Sequence, residues 1–325
     1  MTRSPASPVS PAGREAHGGN GARLAAALGI DPASILDLSA SLCPVAPDPT
    51  SVLRMHLDAI GRYPDPSRAT AALAEAMGVE PEHLVLTNGG AEAIALIGSI
   101  LGGTVDEPDF SLYPRTGGPR WRSNPNNPLG TLAPEDAEAG VWDEAFWPIA
   151  SGTWTRGDHL KGSVVVGSLT KLLACPGLRL GYVLCADDRL VHQVRGVQPE
   201  WSVNGLAAAA LPDLLRPVDL PAWARQTAAL RGKLADLLRS HGLCVIADQG
   251  PWVLVGQSGT LRATLLSQGI VVRDCTSFGL EGTVRVAVPR YDQFPRLERA
   301  LRCRADMRAR QQADAPDVPT ENAAR

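Results

Sequence analysis

Apolar residues recur every three to four positions in several stretches of this chain, which is the spacing of a helix with one buried face. This spacing predicts helices over residues 22–28, 68–77, 91–101, 220–241, 260–267 and 292–302. Shorter apolar runs predict buried strands over residues 84–87, 164–167, 182–185, 244–247, 252–255, 270–273 and 283–288. Up to about residue 206 the two kinds of element alternate, which favours an α/β fold built on a mostly parallel sheet.

The character of the pattern changes near residue 207, where the mixture of strands and helices indicates a smaller α+β unit. We therefore predict an N-terminal segment over residues 16–45, a large domain over 46–206 and a small C-terminal domain over 207–304. Residues 1–15 are rich in Ser, Pro, Ala and Gly, and residues 305–325 are polar and contain two prolines. Such compositions predict disordered tails.

The composition excludes several classes of protein. Hydrophobic residues make up 44% of the 325 residues, and the net charge of −3 is spread along the chain, so we expect no nucleic-acid partner. No apolar run reaches the roughly 18 residues of a membrane span, and the N-terminus lacks the apolar core of a secretory signal. The six cysteines are scattered, without metal-ligand spacing. We expect a cytoplasmic protein with no metal site.

One lysine follows a buried strand closely. Lys171 ends the segment Gly-Ser-Leu-Thr-Lys after three valines, and Arg179 comes eight positions later. Burial disfavours the ammonium form, so such a lysine loses its proton readily and can form a Schiff base with an aldehyde. An arginine nearby can hold a phosphate. Together these two needs indicate pyridoxal 5′-phosphate (PLP) as the cofactor.

Four further motifs carry candidate chemistry, and each has a purely structural alternative. The glycine turn at 87–92 can bind a phosphate at a helix N-terminus or merely join a strand to a helix. The loop at 123–130 can present Asn127 to a cofactor or be an ordinary surface loop. Asp143 follows a short apolar strand and can pair with a pyridinium nitrogen or lie on the surface. Arg285 interrupts an apolar strand and can bind an anion or point to solvent.

The order of these motifs is more specific than any one of them. Glycine turn, asparagine loop, Asp-x-Ala-aromatic, Ser-x-x-Lys and Gly-Leu-Arg follow one another as in fold-type I PLP-dependent enzymes, which the chain resembles from about residue 17 to 301. Finer segments resemble the threonine-phosphate decarboxylase family of cobalamin biosynthesis, a close relative of histidinol-phosphate aminotransferase. They are residues 17–20 (HGGN), 36–40 (LDLSA), 62–66 (RYPDP), 201–204 (WSVN) and 272–278 (VRDCTSF).

The resemblance implies a role for each site residue. Lys171 forms the Schiff base and Asp143 pairs with the pyridinium nitrogen, while Asn127 holds the ring hydroxyl oxygen and Phe110 stacks on the ring. The phosphate is held by Gly90, Ala91, Ser168 and Arg179, and by Tyr63 from the other subunit of a homodimer. The substrate is a small phosphorylated amino acid whose anionic groups bind Arg273, Arg285 and His17. The implied reaction is decarboxylation of L-threonine O-3-phosphate to 1-amino-2-propanol O-2-phosphate.

The chain departs from that family's pattern in two connections. Only residues 111–123 separate Phe110 from the asparagine loop, where relatives usually carry another strand and helix, and only residues 129–141 separate that loop from Trp142. We therefore expect a shortened large domain that lacks a strand and has a thinned outer layer. Phe146 stands where relatives often have tyrosine, and Ser41 and Cys43 where they usually have asparagine.

Three other interpretations stay open. Aminotransfer to a histidinol-phosphate-like substrate uses the same motifs, and a non-catalytic relative could have lost activity with the missing segments. The Ser168-x-x-Lys171 spacing also fits penicillin-binding hydrolases, with Ser168 as nucleophile. That class needs a later Lys-Thr-Gly or Lys-Ser-Gly element, and the only later lysine, Lys233, is followed by Leu-Ala.

Overall fold

Two β-sheets organise the part of the chain described by the computed structural model, residues 18–313. The strands are β1 (Leu36–Leu38), β2 (Leu84–Thr87), β3 (Thr104–Val105), β4 (Arg120–Ser123), β5 (Val141–Asp143), β6 (Val164–Ser168), β7 (Gly181–Leu184), β8 (Cys244–Ala247), β9 (Trp252–Gly256), β10 (Ile270–Asp274) and β11 (Val284–Ala287). The six-stranded sheet has the order β2-β7-β6-β5-β4-β3, and the five-stranded sheet β1-β10-β11-β9-β8.

Helices cover both sheets. They are α1 (Gly21–Leu28), α2 (Thr50–Met55), α3 (Ser67–Met77), α4 (Gly90–Leu101), α5 (Trp147–Ser151), α6 (Leu169–Leu172), α7 (Asp188–Val197), α8 (Gly205–Leu215), α9 (Leu220–Ser240), α10 (Leu261–Ser267) and α11 (Phe294–Ala313). None of the helices within residues 18–313 combines the length and the apolar character that crossing a bilayer requires.

The large sheet is buried on both faces along β2, β5, β6 and β7, whose residues are almost all buried and mostly apolar. Along β6, Val164 and Val166 face one core with α4 and α7, whereas Val165 faces the other core with α3 and α8. This is the period of two expected of a strand between two layers. The α/β fold of the prediction is therefore confirmed, with a second, mixed sheet formed by four C-terminal strands and β1.

Strand direction in the large sheet determines where functional residues meet. Neighbours β3, β4, β5 and β6 run parallel, β7 is antiparallel to both β6 and β2, and β2 therefore runs with the parallel set. The carboxyl ends of five strands lie along one edge as a result. In open α/β sheets this edge is where ligands bind.

The shortened connections contain no helix. Residues 106–119 between β3 and β4, and residues 124–140 between β4 and β5, have neither helix nor strand, which agrees with the expected thin outer layer. Arg156 ties the second connection down: its Nη2 donates to the carbonyl oxygens of Pro134, Glu135 and Ala137, and its guanidinium lies 4.8 Å from the ring centre of Trp142. One side chain thus holds a segment that has no helix of its own.

Several elements differ from the prediction. The helices α2, α5, α6, α7 and α8 and the short strand β1 were not predicted. The last helix, α11, begins at Phe294 and continues to Ala313, beyond the predicted end at residue 302 and into the segment predicted as a disordered tail. Short strands β3 and β4 were not predicted. In β4, Trp121 is buried while Arg120 is exposed, so charged residues interrupt the apolar run that marks a buried strand.

Candidate active site

A cavity of about 490 Å³ lies between the two sheets at the carboxyl edge of the large one. Ten of the twelve residues predicted to bind cofactor or substrate line it. They are Gly90, Ala91, Phe110, Asn127, Asp143, Ser168, Lys171, Arg179, Arg273 and Arg285. They converge because β2, β4, β5 and β6 deliver their following loops to the same edge, while β10 and β11 face that edge from the small sheet.

One end of the cavity is built to receive an anion. Gly89 has φ of +80° and precedes α4, whose first residues, Gly90 and Ala91, line the cavity. The N-terminus of a helix favours an anion. A Cβ at Gly89 would overlap the guanidinium of Arg179, so only glycine lets that cation lie against the helix N-terminus. Ser168 Oγ lies 2.8 Å from Thr170 Oγ1 at the same place. Backbone donors, hydroxyls and one arginine together fit a phosphate.

Lys171 lies on the short helix α6 in the middle of the cavity. Burial, followed by the charges of Arg285 and Arg179, lowers the pKa of its ammonium to about 8, while Asp143 opposes the shift. A substantial fraction of Lys171 is therefore neutral near pH 8, which is the form that reacts with an aldehyde.

Asp143 is held rigidly at the end of β5. Its Oδ1 accepts from the Ala145 N–H at 2.8 Å and its Oδ2 accepts from the Tyr113 hydroxyl at 2.8 Å. Burial raises the pKa of this carboxyl, and the two hydrogen bonds and Lys171 oppose the rise. A buried carboxylate needs a cationic partner, and a protonated pyridine nitrogen is one.

Two arginines enter the cavity from the small sheet. Arg273 and Arg285 are direct partners in the antiparallel pair β10–β11, so their side chains leave the sheet on the same face. Nη1 of Arg285 donates to Asn127 Oδ1 at 2.7 Å, and its guanidinium lies 4.8 Å from the ring centre of Trp252. Burial, assisted less strongly by Arg273, moves the pKa of Arg285 down to about 10. Two buried cations side by side indicate an anionic ligand.

One predicted residue, Tyr63, does not line the cavity, and another, His17, cannot be compared with it. Tyr63 is 77% exposed and its ring lies 4.5 Å from that of Trp201, outside the cavity. His17 lies outside the described residues, although the neighbouring Gly18 and Gly19 line the cavity.

Sequence reasoning missed two buried side chains that support the site. Tyr113 donates a hydrogen bond to Asp143, and Asp109 holds the loop of Asn127 through Ser123. Asp109 is buried and accepts hydrogen bonds from the Ser123 hydroxyl and, at 3.1 Å, from the Ser123 N–H. Ser123 Oγ in turn accepts from the Asn127 N–H at 2.8 Å. The contact between Tyr113 and Asp143 spans thirty positions. The only local signal for it was therefore the presence of a tyrosine three positions after Phe110.

Ser41 is a further polar group at the cavity wall. It is buried, and its hydroxyl has no hydrogen-bond partner within residues 18–313. The predicted departure from asparagine at this position therefore falls on the cavity itself, in agreement with an effect on the ligand rather than on the core.

Comparison with known proteins adds family evidence. The family model for aminotransferase class I and II matches residues 121–294. Histidinol-phosphate aminotransferase 2 of Burkholderia pseudomallei is 32% identical over 195 residues, covering 55% of this chain and 54% of that protein. Threonine-phosphate decarboxylase of Salmonella typhimurium is 35% identical over 147 residues, covering 42% of this chain and 40% of that protein.

The chain spans about half the length of the curated relatives it matches. A crystal structure of histidinol-phosphate aminotransferase from Sinorhizobium meliloti, in complex with pyridoxal-5′-phosphate, superimposes with a TM-score of 0.72 at 16% identity. That superposition covers 86% of this chain and 94% of the other, which shows a shared fold.

Proposed function

Because this chain belongs to the class I and II aminotransferase family, we propose that it is a PLP-dependent decarboxylase of L-threonine O-3-phosphate. PLP fits the cavity: Lys171 is placed for its aldehyde, Arg179 and the N-terminus of α4 for its phosphate, and Asp143 for its ring nitrogen. Asn127 has its carbonyl oxygen engaged by Arg285, which leaves its NH2 group for the ring hydroxyl oxygen.

The pair of arginines is the observation that supports the proposed substrate. Arg273 and Arg285 lie side by side on neighbouring strands and both line the cavity. L-threonine O-3-phosphate carries two anionic groups, a carboxylate and a phosphate, so each arginine has a partner. Histidinol phosphate has a phosphate and no carboxylate, so it offers the two guanidinium groups one anionic group instead of two.

The cavity residues have distinct tasks in this reaction. When bound, PLP supplies an electron sink for the pair released as the bond between Cα and the carboxylate breaks. The arginines would hold the anionic groups of the substrate and thereby set its orientation, which selects the bond that breaks. Asp143 stabilises the proton on the ring nitrogen, and Lys171 Nζ, with its pKa near 8, delivers a proton to Cα after carbon dioxide leaves.

A histidinol-phosphate-type aminotransferase is the second candidate. The alignment with the Burkholderia aminotransferase extends over 195 residues, against 147 for the Salmonella decarboxylase. The longer alignment favours aminotransfer. The paired arginines suit the two anionic groups of L-threonine O-3-phosphate, and among an aminotransferase's reactants they suit the two carboxylates of glutamate or 2-oxoglutarate better than histidinol phosphate.

Labelling and product analysis test these proposals together. After PLP binding and borohydride reduction, we expect the label on the peptide that contains Lys171, and no label at that peptide in Lys171→Ala. The loaded protein should convert L-threonine O-3-phosphate to carbon dioxide and 1-amino-2-propanol O-2-phosphate. Glutamate formed from histidinol phosphate and 2-oxoglutarate would instead identify an aminotransferase, and absence of label at saturating PLP would identify a non-catalytic relative.

A second copy of the chain would complete the site. Tyr63 is exposed and lies outside the cavity of its own chain, and the family resemblance gives it a phosphate contact in a neighbouring subunit. Its stack on the exposed Trp201 places two aromatic rings on one surface, which suits an interface between copies.

A further inference from the structure

The short connection between β3 and β4 supplies three side chains to the site. Phe110 lines the cavity, and Asp109 and Tyr113 lie buried behind it. The segment from residue 106 to 119 has no helix or strand, so its conformation depends on these side-chain contacts. The conformation of this segment is therefore determined by contacts at the site and not by an outer layer packed on the sheet.

The ring of Tyr113 is held in place by two other aromatic rings. Its ring centre lies 5.7 Å from that of Phe110 and 5.3 Å from that of Trp121. The hydroxyl then donates to Asp143 Oδ2, while the Ala145 N–H holds Oδ1. Each carboxylate oxygen thus has one fixed donor, which sets the plane of the carboxylate and leaves lone pairs for the cavity side.

Burial and the surrounding negative charges keep the Tyr113 hydroxyl protonated, so that it donates its hydrogen bond. Burial, followed by the charges of Asp143 and Asp109, raises the pKa of Tyr113 well above its usual value. The hydroxyl therefore keeps its proton at every working pH, and its hydrogen bond can only favour the ionised form of Asp143.

We propose that Tyr113 is a positioning residue for the cofactor ring: it holds Asp143 as an oriented carboxylate and thereby keeps the ring nitrogen protonated. The inference rests on the proposed function, since it requires PLP in the cavity. It does not depend on whether the protein decarboxylates or transaminates its substrate, because both reactions draw electrons into the same ring.

Tyr113→Phe tests the proposal with the PLP-loaded protein. Phenylalanine keeps the ring contacts and removes only the donor. A less fully protonated ring carries less positive charge, so the nitrogen that joins Lys171 to the cofactor should keep its proton to a higher pH. We expect the pH midpoint of the visible absorption band to rise by about half a pH unit and kcat to fall about tenfold, with PLP content unchanged.

Tyr182→Phe is the matched control. Tyr182 is also fully buried, but its hydroxyl has no hydrogen-bond partner within the described residues and it does not line the cavity. This variant should keep the midpoint and kcat of the parent. In an Asp143→Asn background, Tyr113→Phe should cause no further shift of the midpoint, because the two residues act through one hydrogen bond.

Three results would overturn the inference. An unchanged midpoint and kcat in Tyr113→Phe would show that the hydroxyl has no influence on the ring. Equal shifts in Tyr113→Phe and Tyr182→Phe would mean that any lost buried hydroxyl has the same effect. A parent protein with no visible band at saturating PLP would refute the proposed function, and this inference with it.

Discussion

At the scale of single residues, environment separates Lys171 from the other two lysines of the chain. Lys161 is exposed and pairs with Asp158, and Lys233 lies over the ring of Tyr291. Lys171 instead faces Arg285 and Arg179 in a cavity, and burial together with these two charges lowers its pKa to about 8. The sequence predicted this residue because strand, lysine and arginine are close together along the chain.

The lowered pKa of Lys171 makes PLP uptake dependent on pH. Only the neutral amine attacks the aldehyde, so the uptake rate of apo-protein should rise with pH, with its midpoint near pH 8 and a plateau above that. Rapid-mixing absorbance measures this rate. Arg285→Ala removes a positive charge that lowers the pKa, so the midpoint should move to higher pH. A midpoint near that of ordinary lysine in the parent protein would contradict the expected environment.

At the scale of elements, the sequence predicted the strand–turn–helix units well because each is local. The strand β2, the glycine turn and α4 follow one another within residues 84–101, and β6 leads directly into Lys171. The connections around β4 were harder to predict from the sequence. Arg120 and Arg122 interrupt the apolar pattern of this strand, and the loop that follows it is held by Arg156 from a later segment. No local pattern encodes such a tether.

The turn between β2 and α4 allows a sharp test. In Gly89→Ala the new methyl group meets Arg179, and the backbone has φ of +80°, which non-glycine residues disfavour. We expect PLP affinity to fall by about tenfold or more, equal to about 1.4 kcal/mol, as measured by equilibrium titration of the absorption band.

Gly196→Ala is the control for that substitution. Gly196 lies in α7 with open space around its Cβ position, so alanine there should leave PLP affinity unchanged and favour the helix slightly. Equal affinities for the parent and Gly89→Ala would show that the turn is not part of the phosphate site.

At the scale of the whole molecule, the site depends on contacts between distant parts of the chain. Arg285 binds Asn127 from 158 positions away, and Trp252 Nε1 donates to the Pro128 carbonyl oxygen at 2.8 Å across the same junction. The sequence supplied the individual residues through their motifs. It did not supply the distances between them or the support of Asp143 by Tyr113, because those follow from how the two sheets pack.

The proposed dimer predicts complementation between two inactive variants. Lys171→Ala lacks the reactive amine, and Tyr63→Ala lacks the residue expected to act in the other subunit. If sites are shared, mixing the two after partial unfolding and refolding should restore up to about a quarter of the parent activity, through hybrid dimers with one intact site. Activity no higher than that of the Tyr63→Ala protein alone would exclude a shared site.

The parallel pairing of β1 with β10 constrains how the chain can fold. Leu36–Leu38 hydrogen-bonds to a strand in the last fifth of the sequence, so this pair closes a loop that contains more than two thirds of the chain. Contacts of such high sequence separation form late and slow folding. During synthesis on a ribosome, β1 leaves the exit tunnel long before its partner exists and must wait as an unpaired apolar segment. Chaperone dependence of the nascent chain should therefore end only after β10 has emerged.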